Sequence, residues 1–135
     1  MQILSSATAP TTKGPDAMFA GDVYIDFLGT LDPSRVTGGN VHFTPGSHTH
    51  WHTHRLGQMI FVTEGTGLCQ REGGPVQTIK AGDVVYFEPG EKHWHGATPD
   101  RLMVHVAIQP PDTDPNATII SDPVAYEQYN ATPAS

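Results

Sequence analysis

The chain holds eight histidines, and five of them, His42, His48, His50, His52 and His54, fall in one short window. The other three are His93, His95 and His105. No packing requirement concentrates imidazoles in this way. A transition-metal site does, because neutral imidazole is the commonest protein metal ligand. Side chains alternate faces along a strand, so His52 and His54 point the same way and can grip one ion. Gln58 follows past Gly57 and can add a carbonyl oxygen. His93 arrives from a distant turn. Three nitrogens and one oxygen leave positions free on an octahedral ion for water or substrate. The plain alternative for this cluster is a solvated, histidine-rich loop.

The elements that must position these groups are short. The chain has 135 residues, of which 14 are Gly and 12 are Pro, and this punctuation favours many strands over long helices. A single domain is expected, with a polar N-terminal arm over about 1–17 and an irregular tail over about 110–135. Strands are expected at Val23–Leu28, Gly39–Phe43, Gln58–Thr63, Thr66–Arg71, Val76–Ile79, Val84–Phe87 and Leu102–Gln109. Turns are expected at Asp32-Pro33-Ser34, Glu64-Gly65, Glu72-Gly73-Gly74-Pro75 and Pro89-Gly90. In the tail only Val124–Tyr129 has the makings of a helical turn. Strands at this spacing indicate an all-β antiparallel sandwich or barrel.

Composition narrows the partners. Hydrophobic residues make up 37% and charged residues 16%, the profile of a folded globular chain. A formal net charge of −7 argues against nucleic acid and against an anionic membrane surface. No apolar run reaches the length of a membrane span. The lone cysteine, Cys69, cannot form an intrachain disulfide, and the N-terminus lacks the pattern of a signal peptide. A cytoplasmic protein acting on a small molecule is the expectation.

Strand parity sorts the remaining candidates. Met103, His105, Ala107 and Gln109 share one face, with Leu102, Val104, Val106 and Ile108 on the other. Gly39, Val41 and Phe43 share a face, as do His93 and His95, with Trp94 opposite. The His105 and Gln109 face is the better candidate for a pocket. His105 there can move a proton at neutral pH, or can be a satisfied core histidine. His95 can do the same or can only hydrogen-bond behind a ligand. Parity leaves His42 out, and His48 and His50 carry no assignment.

Two motifs bring these residues to a family. Gly46, His52, His54, Gln58 and Gly65 keep the spacing of the first cupin motif, in which Glu normally stands where this chain has Gln58. Gly82, Gly90 and His93 keep the second, with proline one residue late at Pro89 and Ala97 where Asn is usual. The chain therefore resembles the cupins, small antiparallel β-barrels or jelly rolls with a metal in the mouth. The run His52-Thr53-His54-Arg55-Leu56-Gly57-Gln58, together with Gly90-Glu91-Lys92-His93-Trp94-His95-Gly96-Ala97 and His105-Val106-Ala107-Ile108-Gln109, resembles the bacterial cupin hydroxynitrile lyases. That resemblance implies manganese on His52, His54, Gln58 and His93, with Fe2+, Zn2+ or Ni2+ as alternatives. It implies pocket roles for His105 and Gln109, small pocket residues at Gly39 and Val41, and a threonine before the first ligand at Thr49. Cupins commonly pair through edge strands, which implies a homodimer or homotetramer.

The implied reaction is reversible cleavage of a cyanohydrin such as mandelonitrile to aldehyde and cyanide, with His105 as the preferred base and His95 beside it. Gln58 bears on this choice. With neutral Gln and three neutral His, a divalent ion keeps both its charges, which strengthens it as a Lewis acid and disfavours its oxidation. That tilts the chemistry away from oxygen activation. The alternatives are an iron-dependent dioxygenase, a metal-dependent isomerase or decarboxylase acting on a small hydroxy- or keto-acid, and a non-catalytic ligand-binding cupin. Oxygen dependence, a screen of such acids without cyanide, and binding without turnover separate them.

Overall fold

The structure, a computed structural model, describes residues 1, 3–28 and 36–134. The turn expected at Asp32-Pro33-Ser34 lies outside the described residues. Among the described residues, a short 3-10 turn at Ser6–Thr8 is followed by twelve strands. The first six are β1 (Thr11–Lys13), β2 (Phe19–Ala20), β3 (Val23–Phe27), β4 (Thr37–Phe43), β5 (His48–Thr49) and β6 (His52–His54). They are followed by β7 (Gln58–Arg71), β8 (Gln77–Lys80), β9 (Val84–Phe87), β10 (His93–Ala97), β11 (Met103–Gln109) and β12 (Thr118–Ile120). One short helix, α1 (Tyr126–Tyr129), closes the chain. The expected all-β architecture is what forms. Among the described residues no helix is long and apolar enough to cross a membrane.

The strands pair antiparallel and curl into a barrel, in the order β1-β3-β4-β11-β7-β10-β5-β2. One layer holds β1, β3, β4, β11, β9 and the first half of β7. The other holds β8, β10, β5, β6, β2, β12 and the second half of β7. The expected turn at Glu64-Gly65 is therefore not a turn. Thr66–Arg71 does not fold back on Gln58–Thr63. It runs on as one 14-residue strand into the second layer. Gly65 makes the crossing possible, with φ of 76° and no room for a β carbon against the Leu102 carbonyl. A register shift on β11 between Val104 and His105 marks the same corner.

Between the layers lies a core built on Val23, Phe43, Ile60, Val62 and Met103, each 0–1% exposed. Alternation supplies it, since these residues occupy every second position of their strands. A second core sits behind β10, where Trp94 packs with Trp51, Leu68, Val76, Val124 and Tyr129. Two of those six residues come from the tail. The tail also holds β12, which pairs with β6 in the register Thr118↔His54, Ile119↔Thr53 and Ile120↔His52. The expectation of an irregular tail is corrected on this point. The N-terminal arm contributes an edge strand, β1, paired with β3. Tyr129 donates its hydroxyl proton to the Ala97 carbonyl at 2.8 Å, and its ring stacks on His48 at 4.3 Å.

Candidate metal centre

The site forms where β6, β10 and the start of β7 meet at the barrel mouth. His93 stands opposite His52 in the β10–β6 pairing, and their ring centroids are 4.3 Å apart. The His54 ring lies 5.0 Å from that of His52 and 5.8 Å from that of His93. His95, two residues after His93, lies on the same face, its ring 5.4 Å from that of His52. Ligand atoms of His52, His93 and His95 all lie within 4.8 Å of one another. These three imidazoles can hold a metal ion. His54, expected in the first trio, falls outside that group of three, and His95, expected beside it, falls inside. Alternation fixes which face a histidine takes but not how deep its ring reaches.

Each imidazole is held from behind. His52 donates Nδ1–H to the His50 carbonyl at 2.9 Å, and His93 donates Nδ1–H to the Glu91 carbonyl at 2.7 Å. Both bonds leave Nε2 with its lone pair facing the site. His54 Nδ1 lies 3.1 Å from Thr118 Oγ1. Gln58 donates from Nε2 to Gln109 Oε1 at 2.9 Å, which turns its own carbonyl oxygen the other way. Gln109, expected to touch substrate, thus also orients Gln58. The Nε2 atoms of His54, His93 and His95 and Oε1 of Gln58 are buried without a hydrogen-bond partner. Buried acceptors left unpaired cost free energy, and a bound cation satisfies those that reach it. The donor set thus fits a divalent metal. His93 is further fixed by Phe87, which stacks on it at 3.6 Å.

Burial keeps these imidazoles neutral, as metal binding requires. It lowers His54 to about 4, aided by the neighbouring His52. It lowers His93 to about 3, again with help from His52. It is also the main cause of lowering in His52, His95 and His105, the last to about 3. The consequence for stability has a definite sign. Above the ordinary value of 6.5 these groups are neutral in both states. Below it the unfolded chain binds protons that the folded chain refuses. The unfolding temperature of metal-free protein is therefore expected to hold above pH 7 and to fall as pH drops from 6.5 toward 4. Calorimetry across that range checks it, and a flat profile contradicts it.

The cavity in front of these groups has a volume of about 280 Å³. Its polar floor carries His52, His54, Gln58, His95, His105 and Gln109, and apolar walls come from Met18, Ile25, Phe27 and Ile120. Gly39, Val41 and Thr49 also line it. Thr49 also accepts the His95 backbone N–H at 3.2 Å. No Asp or Glu is among the described residues that line this cavity. His105 is 1% exposed and its Nε2 lies 3.1 Å from His95 Nδ1, so the two form a hydrogen-bonded imidazole pair. The remaining histidines sit elsewhere. His42 meets Asp26 at 3.0 Å on the outer sheet face, His48 stacks on Tyr129, and His50 donates to the Asp16 carbonyl. Thr118 and Ile120, which reach the cavity from the tail, carried no signal in the sequence.

Comparison with known proteins decides the family. Residues 39–108 match the cupin domain. The chain belongs to the cupin family. This cupin is 49% identical over 130 residues to an (R)-mandelonitrile lyase of Granulicella tundricola, spanning 96% of this chain and 98% of the relative. The crystal structure of a cupin-like protein from Thermotoga maritima superposes with a TM-score of 0.81 at 37% identity, covering 87% of this cupin and 90% of that chain. A polyketide cyclase from Streptomyces resistomycificus has a TM-score of 0.74 at 17% identity, covering 96% and 90%, and shares the fold alone.

Proposed function

We propose that this cupin is a metal-dependent hydroxynitrile lyase that reversibly cleaves a cyanohydrin such as mandelonitrile to an aldehyde and cyanide. The observation that carries the proposal is an imidazole pair, His95 and His105, facing a charge-neutral set of metal donors in a small, largely apolar cavity. The metal, with Mn2+ as the first choice, is assigned to His52, His54, Gln58 and His93. A metal held only by His52, His93 and His95 leaves His54 Nε2 and Gln58 Oε1 buried and unpaired, whereas the proposed set engages both and leaves His95 Nε2 to meet substrate. When bound, the ion supplies a Lewis acid that lowers the pKa of an oxygen placed against it.

The chain's own groups do the rest. His95 Nε2 accepts the cyanohydrin hydroxyl proton, and the His95 Nδ1 proton passes along the 3.1 Å bond to His105 Nε2. The oxygen electron pair becomes the second bond of the aldehyde carbonyl. The carbon–carbon pair leaves with cyanide. The proton then returns along the same path to cyanide and restores the neutral pair. Among the described residues no carboxylate lines the cavity to oppose the departing anion. Met18, Ile25 and Phe27 offer an apolar wall to the substrate's side chain. The cavity volume, just under the roughly 300–1,000 Å³ usual for ligand sites, fits a small molecule.

The test is benzaldehyde release from mandelonitrile near pH 5, with manganese-loaded protein and again after chelation, background subtracted. Release that depends on metal is expected, under nitrogen as well as in air. No release from folded, loaded protein overturns the proposal, and strict oxygen dependence moves the chemistry to a dioxygenase. The same proposal includes a homodimer or homotetramer. Met59 pairs with Tyr86 and Phe61 with Val84 on the outer sheet face, all four between 37% and 59% exposed. A monomer by light scattering at micromolar concentration removes that part.

A further inference from the structure

We propose that the C-terminal strap around β12 is part of the metal centre, with Thr118 as a positioning residue for His54 and the Arg55–Asp112 ion pair as the clasp that holds it there. This rests on the assignment of His54 as a ligand.

Several contacts bring the strap to this ligand. Thr118 and His54 are paired directly in the β12–β6 register, and Thr118 Oγ1 lies 3.1 Å from His54 Nδ1. The other ring nitrogen, Nε2, is the buried atom left without a partner. An imidazole that gives Nε2 to a metal carries its proton on Nδ1, and Thr118 Oγ1 accepts that proton. The hydroxyl thus selects the tautomer that binds and fixes the ring plane. His52 and His93 receive the same service from backbone carbonyls of neighbouring residues, His50 and Glu91. Of the three imidazoles assigned to the metal, His54 is the one whose Nδ1 partner is a side chain, and that side chain comes from 64 residues away.

A side chain brought from so far needs an anchor. Arg55, the residue after His54, donates from Nε to Asp112 Oδ2 at 2.7 Å and from a terminal nitrogen to Oδ1 at 2.6 Å. The Asp112 side chain is only 9% exposed, so the fork is shielded on its acidic side. The Arg55 backbone N–H donates to the Ala117 carbonyl at 2.8 Å. These contacts lie directly beside the Thr118–His54 pair, on its Arg55 side, and Thr118 itself lines the substrate cavity. Loosening the strap therefore acts on the metal before it acts on the barrel.

The experiment titrates MnCl2 into metal-free protein by calorimetry and records the visible spectrum of the Co2+ form. Thr118→Val keeps the shape and removes the oxygen. It is expected to weaken Mn2+ binding about 10- to 100-fold and to alter the Co2+ spectrum, with the metal-free unfolding temperature unchanged. Thr118→Ser, which keeps the oxygen, is expected to restore both. Asp112→Ala is expected to weaken binding in the same direction. Wild-type affinity in Thr118→Val overturns the proposal, and so does a serine variant as weak as the valine variant. Wild-type affinity in Asp112→Ala overturns the clasp. A wild-type protein that binds no Mn2+ overturns the metal assignment itself, and is told apart because the failure is in the unmutated chain.

Discussion

Replacing His105 by alanine is expected to lower turnover of mandelonitrile by about 10²- to 10⁴-fold, the usual worth of a positioned proton-transfer group, and to leave the manganese content unchanged. His105 has no place among the metal donors. It reaches the site as the partner of His95, its Nε2 3.1 Å from His95 Nδ1 and its ring 5.3 Å from Phe43. Burial holds it neutral, with a pKa of about 3, so the pair carries a free lone pair at the acid pH where cyanohydrins are handled. Alanine also leaves a void and an unpaired nitrogen on His95. His105→Gln is the control, because its amide can still hydrogen-bond to His95 but cannot carry the transferred proton. The loss is expected in kcat in both variants. A glutamine variant with full kcat removes His105 from proton transfer and leaves it a role in holding His95.

His93→Ala is expected to abolish both metal binding and turnover, with affinity for Mn2+ reduced by more than about 100-fold. The residue is 0% exposed, its Nε2 is buried without a partner at the proposed metal site, its Nδ1–H donates to the Glu91 carbonyl, and its face stacks on Phe87, three roles in all. Alanine removes all three, and the void costs about 2–4 kcal/mol of stability. His93→Gln fills most of that volume and separates the effects. It is expected to stay folded while holding metal far more weakly. Elemental analysis after dialysis against substoichiometric Mn2+ reads the outcome. A His93→Gln protein that retains wild-type metal content contradicts the ligand assignment.

Much of the barrel and its pocket could be read from alternation alone. The β4 face of Gly39, Val41 and Phe43 and the β11 face of His105, Ala107 and Gln109 both line the cavity. Trp94, assigned to the face opposite His93 and His95, is buried in the second core. A period of two on a strand needs no tertiary information. The parts that could not be read are those set by pairing between distant segments. Glu64-Gly65 has the composition of a hairpin turn, and only the pairing of β7 with β11, β8 and β10 shows that the strand continues through it. Thr118-Ile119-Ile120 is a short apolar run among Pro and Asp, and nothing local says that its partner is the strand of His52 and His54. The Gln58–Gln109 bond joins two residues 51 positions apart. Parity placed Gln109 at the pocket and motif spacing placed Gln58 beside the histidines, but their contact depends on the β11–β7 register.

The ligand set is the point on which the mechanism turns, because it decides whether His95 Nε2 belongs to the metal or to the substrate. Crystals soaked in MnCl2 and measured at the manganese absorption edge locate the ion directly. One anomalous peak is expected within about 2.0–2.4 Å of His52, His54 and His93 nitrogens and the Gln58 carbonyl oxygen, with His95 turned toward the open side. A peak held by His52, His93 and His95 with His54 and Gln58 disengaged contradicts this arrangement.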